Sequence, residues 1–101
     1  MPLKNYDDYL KKKLQDKELA AEYLNTALEG GSLEEFLVAL RNVAQAHGGL
    51  GELSAMTKLN RQSLYKMLSE DGNPTLGSLI SLLKAMGIRL TFSPSHTKKA
   101  A

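Results

Sequence analysis

Apolar residues recur along the chain at spacings of three and four, which is typical of helices with one buried face. Glycine pairs and Pro74 interrupt this pattern and separate successive helices. Asp16, Ser32 and Thr75 stand just before three of the apolar runs, where N-cap residues are expected. The sequence therefore predicts five helices, at 16–28, 32–47, 52–57, 60–69 and 75–86.

After the last helix, Ile88, Leu90 and Phe92 alternate with polar residues, as in a short strand. A lone strand leaves backbone groups unpaired, so it must pair with an N-terminal segment or with the same strand of a second copy. We therefore expect an all-α fold, a five-helix bundle with a short C-terminal strand. The expected divisions are an N-terminal arm at 1–15, a helical domain at 16–93 and a disordered tail at 94–101.

The N-terminal arm has a narrow apolar stripe, Tyr6, Tyr9, Leu10 and Leu14, beside three consecutive lysines. A stripe this narrow does not stabilise an isolated helix. Two interpretations stay open: a loosely docked arm, or a segment that packs its tyrosines and leucines against another protein.

The two short helices at 52–57 and 60–69 show the clearest division into an apolar side and a polar side. Leu64, Met67 and Leu68 form one apolar side of the second helix, and Leu53 and Met56 are expected to face inward from the first. The opposite side of the second helix carries Arg61, Gln62, Tyr65, Lys66 and Ser69. Long cationic and hydrogen-bonding side chains of this kind reach base edges and phosphates in the major groove of DNA. The domain at 16–93 is therefore predicted to be a helix-turn-helix DNA-binding domain.

The distribution of charge agrees with this prediction. The net charge of the whole chain is +2. Residues 1–50 carry 6 basic and 8 acidic side chains, whereas residues 51–101 carry 7 basic and 3 acidic ones. The half with the two short helices is thus the basic half, as attraction to phosphates requires.

Composition argues against several other classes of protein. There is no cysteine, which excludes disulfides and thiolate metal sites. The two histidines, His47 and His96, have no evident catalytic partner in the sequence and are interpreted as solvated residues. We expect no enzymatic activity, cofactor or metal. With no long apolar run and no signal peptide, we also expect no membrane association and a cytoplasmic location.

Two resemblances sharpen the prediction. The spacing around 52–69 is similar to the lambda repressor and Cro-like helix-turn-helix family, although Lys58 occupies the corner position that is usually Gly there. From Tyr6 to Phe92, and most specifically from Asn60 to Leu83, the chain resembles the addiction-module antidote proteins, the HigA-like antitoxins. This resemblance implies an antitoxin that neutralises a RelE/ParE-type toxin. It also implies a homodimer that binds its own operator in double-stranded DNA and represses transcription.

The resemblance also assigns candidate DNA-binding residues. Arg61 is matched to guanine, Gln62 to adenine, and Lys66 to a base or a phosphate. Gly51, at the expected start of the first short helix, is a candidate phosphate contact through its backbone N–H. The full candidate set is Asn60, Arg61, Gln62, Ser63, Tyr65, Lys66, Gly51, Asn73 and Thr75.

One alternative from a different class stays open. The chain could be a protein-interaction module that keeps the helix-turn-helix core without reading DNA. Tyr65 is then the informative residue, because an exposed tyrosine suits a protein interface.

Overall fold

Six helices follow one another along residues 2–95, the part of the chain that the computed structural model describes. They are α1 (Pro2–Leu14), α2 (Lys17–Glu29), α3 (Leu33–Ala46), α4 (Gly49–Thr57), α5 (Arg61–Met67) and α6 (Leu76–Ala85). No strand is present between residues 2 and 95, so the described part of the chain is all-helical, as the sequence predicts. The division into 1–15, 16–93 and 94–101 stays a prediction, and residues 96–101 of the tail, with His96, lie outside the described residues.

The additional helix is α1, which lies in the segment predicted as an arm. It packs against α2 and α3, with Leu14 buried and Leu10 partly buried. His47 Nε2, at the end of α3, donates a hydrogen bond of 2.8 Å to the carbonyl oxygen of Leu14. His47 is therefore tied to α1 rather than simply solvated. Tertiary packing stabilises a helix whose own stripe is too narrow to do so.

The centre of the core is α3. Its buried side chains are Phe36, Leu37, Ala39, Leu40, Val43, Ala44 and Ala46, the largest buried set of the six helices. It packs against α1, α2 and α4, while α4 also packs against α5 and α6. Of the two short helices, α4 thus packs directly against α3, and α5 packs against α4.

The predicted N-caps at three helix starts are confirmed. The Asp16 carboxylate accepts hydrogen bonds from the backbone N–H groups of Glu18 and Leu19 at 2.8 and 3.2 Å. Ser32 caps α3 and Thr75 caps α6 in the same way, through the N–H three residues later. These bonds satisfy donors that a helix leaves unpaired at its start, and they fix where each helix begins.

The predicted strand at 88–92 does not form within the described residues. Gly87 has a left-handed backbone (φ +77°), and the N–H of Ile88 donates to the Leu83 carbonyl oxygen at 2.8 Å. This turn brings the segment back onto α6, and Ile88 and Leu90 pack against the core. The alternating pattern therefore reflects one side of an irregular segment covering α6, rather than a strand with a ladder partner.

Candidate nucleic-acid interface

A tight turn joins α4 to α5, and two hydroxyl groups hold it. Ser54 Oγ donates to the carbonyl oxygen of Leu59 at 2.8 Å. Thr57 Oγ1 donates to the Leu53 carbonyl oxygen at 2.8 Å and accepts from the N–H of Leu59 at 3.1 Å. Lys58 takes the left-handed conformation at the corner, with φ 67°. The turn thus has the backbone geometry that usually favours Gly, here with a non-Gly residue.

Both ends of α5 are fixed by side chains. Asn60 is the N-cap, and its Oδ1 accepts from the N–H of Ser63 at 2.7 Å. At the other end the Arg41 guanidinium, from α3, donates to the carbonyl oxygen of Leu68. A cation at this end also suits the negative end of the helix dipole. The helix ends at Met67, two residues before the predicted end at 69.

The two sides of α5 differ sharply in burial. Leu64 is fully buried (0% exposed), and Met67 and Leu68 are buried with it. Of the predicted outward residues, Arg61, Gln62, Tyr65 and Lys66 are exposed, as is Ser63. Ser69 is half-buried beyond the end of the helix, and its Oγ donates to the Lys66 carbonyl oxygen at 2.8 Å. The predicted division into an inner apolar side and an outer polar side is therefore confirmed for this helix.

Two predictions about α4 are wrong. Met56 was expected to face inward, but it is 56% exposed, and Leu53 alone of the helix is buried. Nine residues make only two and a half turns, so few positions of α4 can face α3. The helix also begins at Gly49, two residues before Gly51, because Gly48 supplies the N-cap with a left-handed backbone (φ 108°).

Gly51 and Arg61 lie together, although they belong to different helices. The nearest Arg61 guanidinium nitrogen lies 3.5 Å from the point where a Cβ on Gly51 would stand. On the neighbouring turn the Glu52 carboxyl group lies over Gly48, at the N-terminus of α4. That carboxylate already occupies the positive end of the helix dipole, so it competes with a phosphate there. A phosphate approaching Gly51 would meet the Arg61 guanidinium.

Asn73 and Thr75 lie beside α5 in a shallow depression of about 270 Å³. Ser63 and Lys66 line it from α5, and Ser78 lines it from α6. The structure therefore brings four of the predicted residues together around one hollow. Asp71 also lines the hollow and places one negative charge there.

Sequence reasoning missed three residues near this surface. Ser78 is one, and no signal beyond its position after Thr75 distinguishes it. Lys58 is the second: it is exposed at the corner next to α5, and its departure from Gly is the available signal. Arg41 is the third: it looked like part of the polar side of α3, but it holds the end of α5.

Between residues 2 and 95 there is no group of three or more His, Cys, Asp or Glu side chains that could hold a metal ion. Over the same residues, no helix combines the length and apolar character needed to cross a bilayer.

Together, the fold and the surface define a small helical protein in which a short helix, α5, packs its apolar side on the core and turns its polar side outward. Residues 3–94 match the family described as "probable addiction module antidote protein", and the chain belongs to that family. An uncharacterized protein from Haemophilus influenzae is 30% identical over 94 residues, which cover 93% of this chain and 94% of that protein. No solved structure matches the chain.

Proposed function

We propose that this protein is the antitoxin of a type II toxin-antitoxin module and that it also represses its own operon. Membership of the antidote family supports a toxin partner. We assign that partner to the RelE/ParE type, on the resemblance described above. The antitoxin acts in the cytoplasm, has no enzymatic activity, and binds operator DNA as a dimer through a lambda repressor-like helix-turn-helix formed by α4 and α5.

The observation that carries the DNA-binding part is the orientation of α5. Its buried leucines leave Arg61, Gln62 and Lys66 exposed on the outer side of a helix fixed at both ends. A helix held rigidly with its polar side outward can enter a major groove without first being ordered, which reduces the entropic cost of binding.

Each outward residue has a proposed role. Arg61 donates to guanine O6 and N7, and Gln62 forms two hydrogen bonds with adenine, so each contributes to base preference. Ser63, Lys66, Asn73 and Thr75 surround one hollow and bind the DNA backbone beside the groove. Asn60 acts indirectly through its cap, and Tyr65 packs against sugar or a thymine methyl group. Gly51 is the weakest member of the set, because the carboxyl group of the next residue, Glu52, lies over Gly48 at the start of the same helix.

The experiment is a titration of the protein with DNA from its own promoter at several salt concentrations. We expect specific binding whose logarithm falls linearly with the logarithm of salt concentration. Arg61→Ala and Gln62→Ala should each cost ~1–3 kcal/mol on operator DNA and relax the base preference, whereas Lys66→Ala should weaken operator and random DNA alike and reduce the salt dependence. Equal losses on operator and random DNA for all three variants would refute direct reading of bases.

The antitoxin part has a separate test. The product of the reading frame next to this gene is expressed alone and together with this protein. Growth arrest by the neighbour, relieved by co-expression and accompanied by a stable complex, is the expected result. A neighbour without effect on growth, or a complex that does not form, would refute the proposed toxin partner.

The second candidate function is a protein-interaction module, and Tyr65 is the observation in its favour. Its side chain is 58% exposed and lies beside Leu50 and Leu68 in a small apolar hollow of about 260 Å³. An aromatic side chain next to such a hollow is typical of a protein interface. Weak DNA binding with no preference for the operator would favour this alternative.

A further inference from the structure

An apolar groove lies between α6, the α2–α3 junction and the segment after α6. We call it the α6 groove and define it by six of its lining residues, Leu24, Leu28, Leu33, Leu76, Leu79 and Leu90. Its volume is about 590 Å³. Three of these leucines, Leu28, Leu33 and Leu76, are more than half exposed. The groove is therefore an open apolar surface rather than an internal cavity.

Two further exposed apolar residues extend this surface. Ile80 lies on α6 and lines the adjoining depression, which shares Ile88 and Leu90 with the groove. Phe92 follows Thr91, which lines the α6 groove, and its side chain is 91% exposed. A phenylalanine left this open in water is a strong candidate for burial against another molecule.

We infer that the occupant of the α6 groove is the same surface of a second copy, with Phe92 of each copy seated in the groove of the other. A two-fold interface requires one surface patch to be complementary to itself. Here the projecting side chain and the groove that would receive it are neighbours on the same patch. Lys17, Glu18, Lys84 and Arg89 border the adjoining depression and would form a polar rim.

The available area agrees with a dimer. Leu28, Leu33, Leu76, Ile80 and Phe92 are between 44% and 91% exposed. At roughly 200 Å² for a fully exposed large apolar residue, they present on the order of 600 Å² of apolar surface per copy. A standard interface buries about 800 Å² per partner, of which the polar rim would supply the remainder.

The position of the α6 groove also suits a dimer on DNA. If DNA binding is as proposed, the two copies of α5 must lie about 34 Å apart, one turn of DNA. Asn73 and Pro74 line both the α6 groove and the hollow beside α5, so the groove adjoins the DNA-binding surface. An interface at the α6 groove therefore places the two-fold axis beside the proposed DNA-binding surface.

The test is sedimentation velocity of the full chain, with Phe92→Glu as the variant and Tyr9→Glu as the control. Both side chains are exposed, so neither change should unfold the protein, and circular dichroism checks this. We expect the wild type and Tyr9→Glu to sediment as dimers, with twice the 11.1 kDa mass of one chain, and Phe92→Glu to sediment as a monomer. A monomeric wild type, a dimeric Phe92→Glu variant, or dissociation of the control variant would overturn the inference.

Cross-linking identifies the contact itself. The chain has no cysteine, so Asn25→Cys, on the groove wall, and Ser93→Cys, next to Phe92, can be made separately and mixed. A short thiol cross-linker should yield the mixed dimer in preference to either homodimer. Absence of the mixed product would overturn the inference.

Binding of a toxin, rather than a second copy, in the α6 groove would also overturn the inference. In that case Phe92→Glu would remain dimeric but would no longer bind the neighbouring gene product. The sedimentation result does not depend on DNA. A wild-type dimer that fails to bind its promoter refutes the proposed function alone, whereas operator binding by a protein that is monomeric in solution refutes the inference alone.

Discussion

Truncation of Leu64 tests how α5 is oriented, because Leu64 is fully buried while its neighbour Tyr65 is 58% exposed. Leu64→Ala removes a buried side chain and leaves a cavity, at a cost of ~2–5 kcal/mol. A domain of this size has a total stability of about 5–15 kcal/mol, so this is a large fraction. At about 4–8 °C per kcal/mol, the melting temperature should fall by roughly 8–40 °C.

The assay is urea unfolding followed by helical circular dichroism, with two controls. Leu64→Met conserves the volume and should cost less than about 1.5 kcal/mol. Tyr65→Ala removes an exposed side chain and should change stability by no more than about 0.5 kcal/mol. If Leu64→Ala unfolds at the wild-type urea concentration, or if Tyr65→Ala is the more destabilising of the two, Leu64 does not face the core.

Three smaller changes test the supports of α5. Arg41→Met removes the hydrogen bond to the Leu68 carbonyl and should lower the free energy of unfolding by about 1–2 kcal/mol, because this charged hydrogen bond is partly exposed. Thermal unfolding measures the loss, and an unchanged midpoint would contradict this role of Arg41. Lys58→Gly removes the strain of a left-handed backbone at a non-Gly residue and should stabilise the protein by up to about 1 kcal/mol. Chemical denaturation measures this change, and a loss of stability would contradict it. Asn60→Ala removes the cap and should cost about 0.5–2 kcal/mol, whereas Asn60→Asp should retain most of the stability.

The sequence predicted those parts of the fold that depend on local physics. Helical spacing and short polar side chains located α2, α3 and α6 with their caps at Asp16, Ser32 and Thr75, because both signals act within one or two turns. The same applies to α5, whose seven residues already contain its inner and outer sides.

The parts that were not predicted depend on contacts distant in sequence. The helix α1 forms through Leu14 and its bond with His47, which lies 33 residues away. Arg41 holds the end of α5 across 27 residues, and nothing near it in sequence indicates this role. Met56 has the spacing of a core residue, but whether it meets a neighbour depends on how α4 crosses α3. Ile88 and Leu90 alternate like a strand because one side of the segment covers α6.

The candidate site follows the same division. The exposure of Arg61, Gln62, Tyr65 and Lys66 follows from the position of the buried leucines on one short helix. The hollow that joins Lys66 to Asn73 and Thr75 depends on the turn between α5 and α6. Glu52 beside the start of α4 also depends on side-chain placement that spacing does not specify.

We propose that the outer side of α5 enters the major groove of operator DNA. A nuclear magnetic resonance titration of the isotopically labelled protein with operator DNA, followed through the backbone amide signals, tests this placement. The largest shifts should lie at residues 60–66 and at 73–78, with α1 and α2 nearly unchanged. Shifts concentrated on α1 and α2, with the amides of α5 unaffected at saturation, would contradict it.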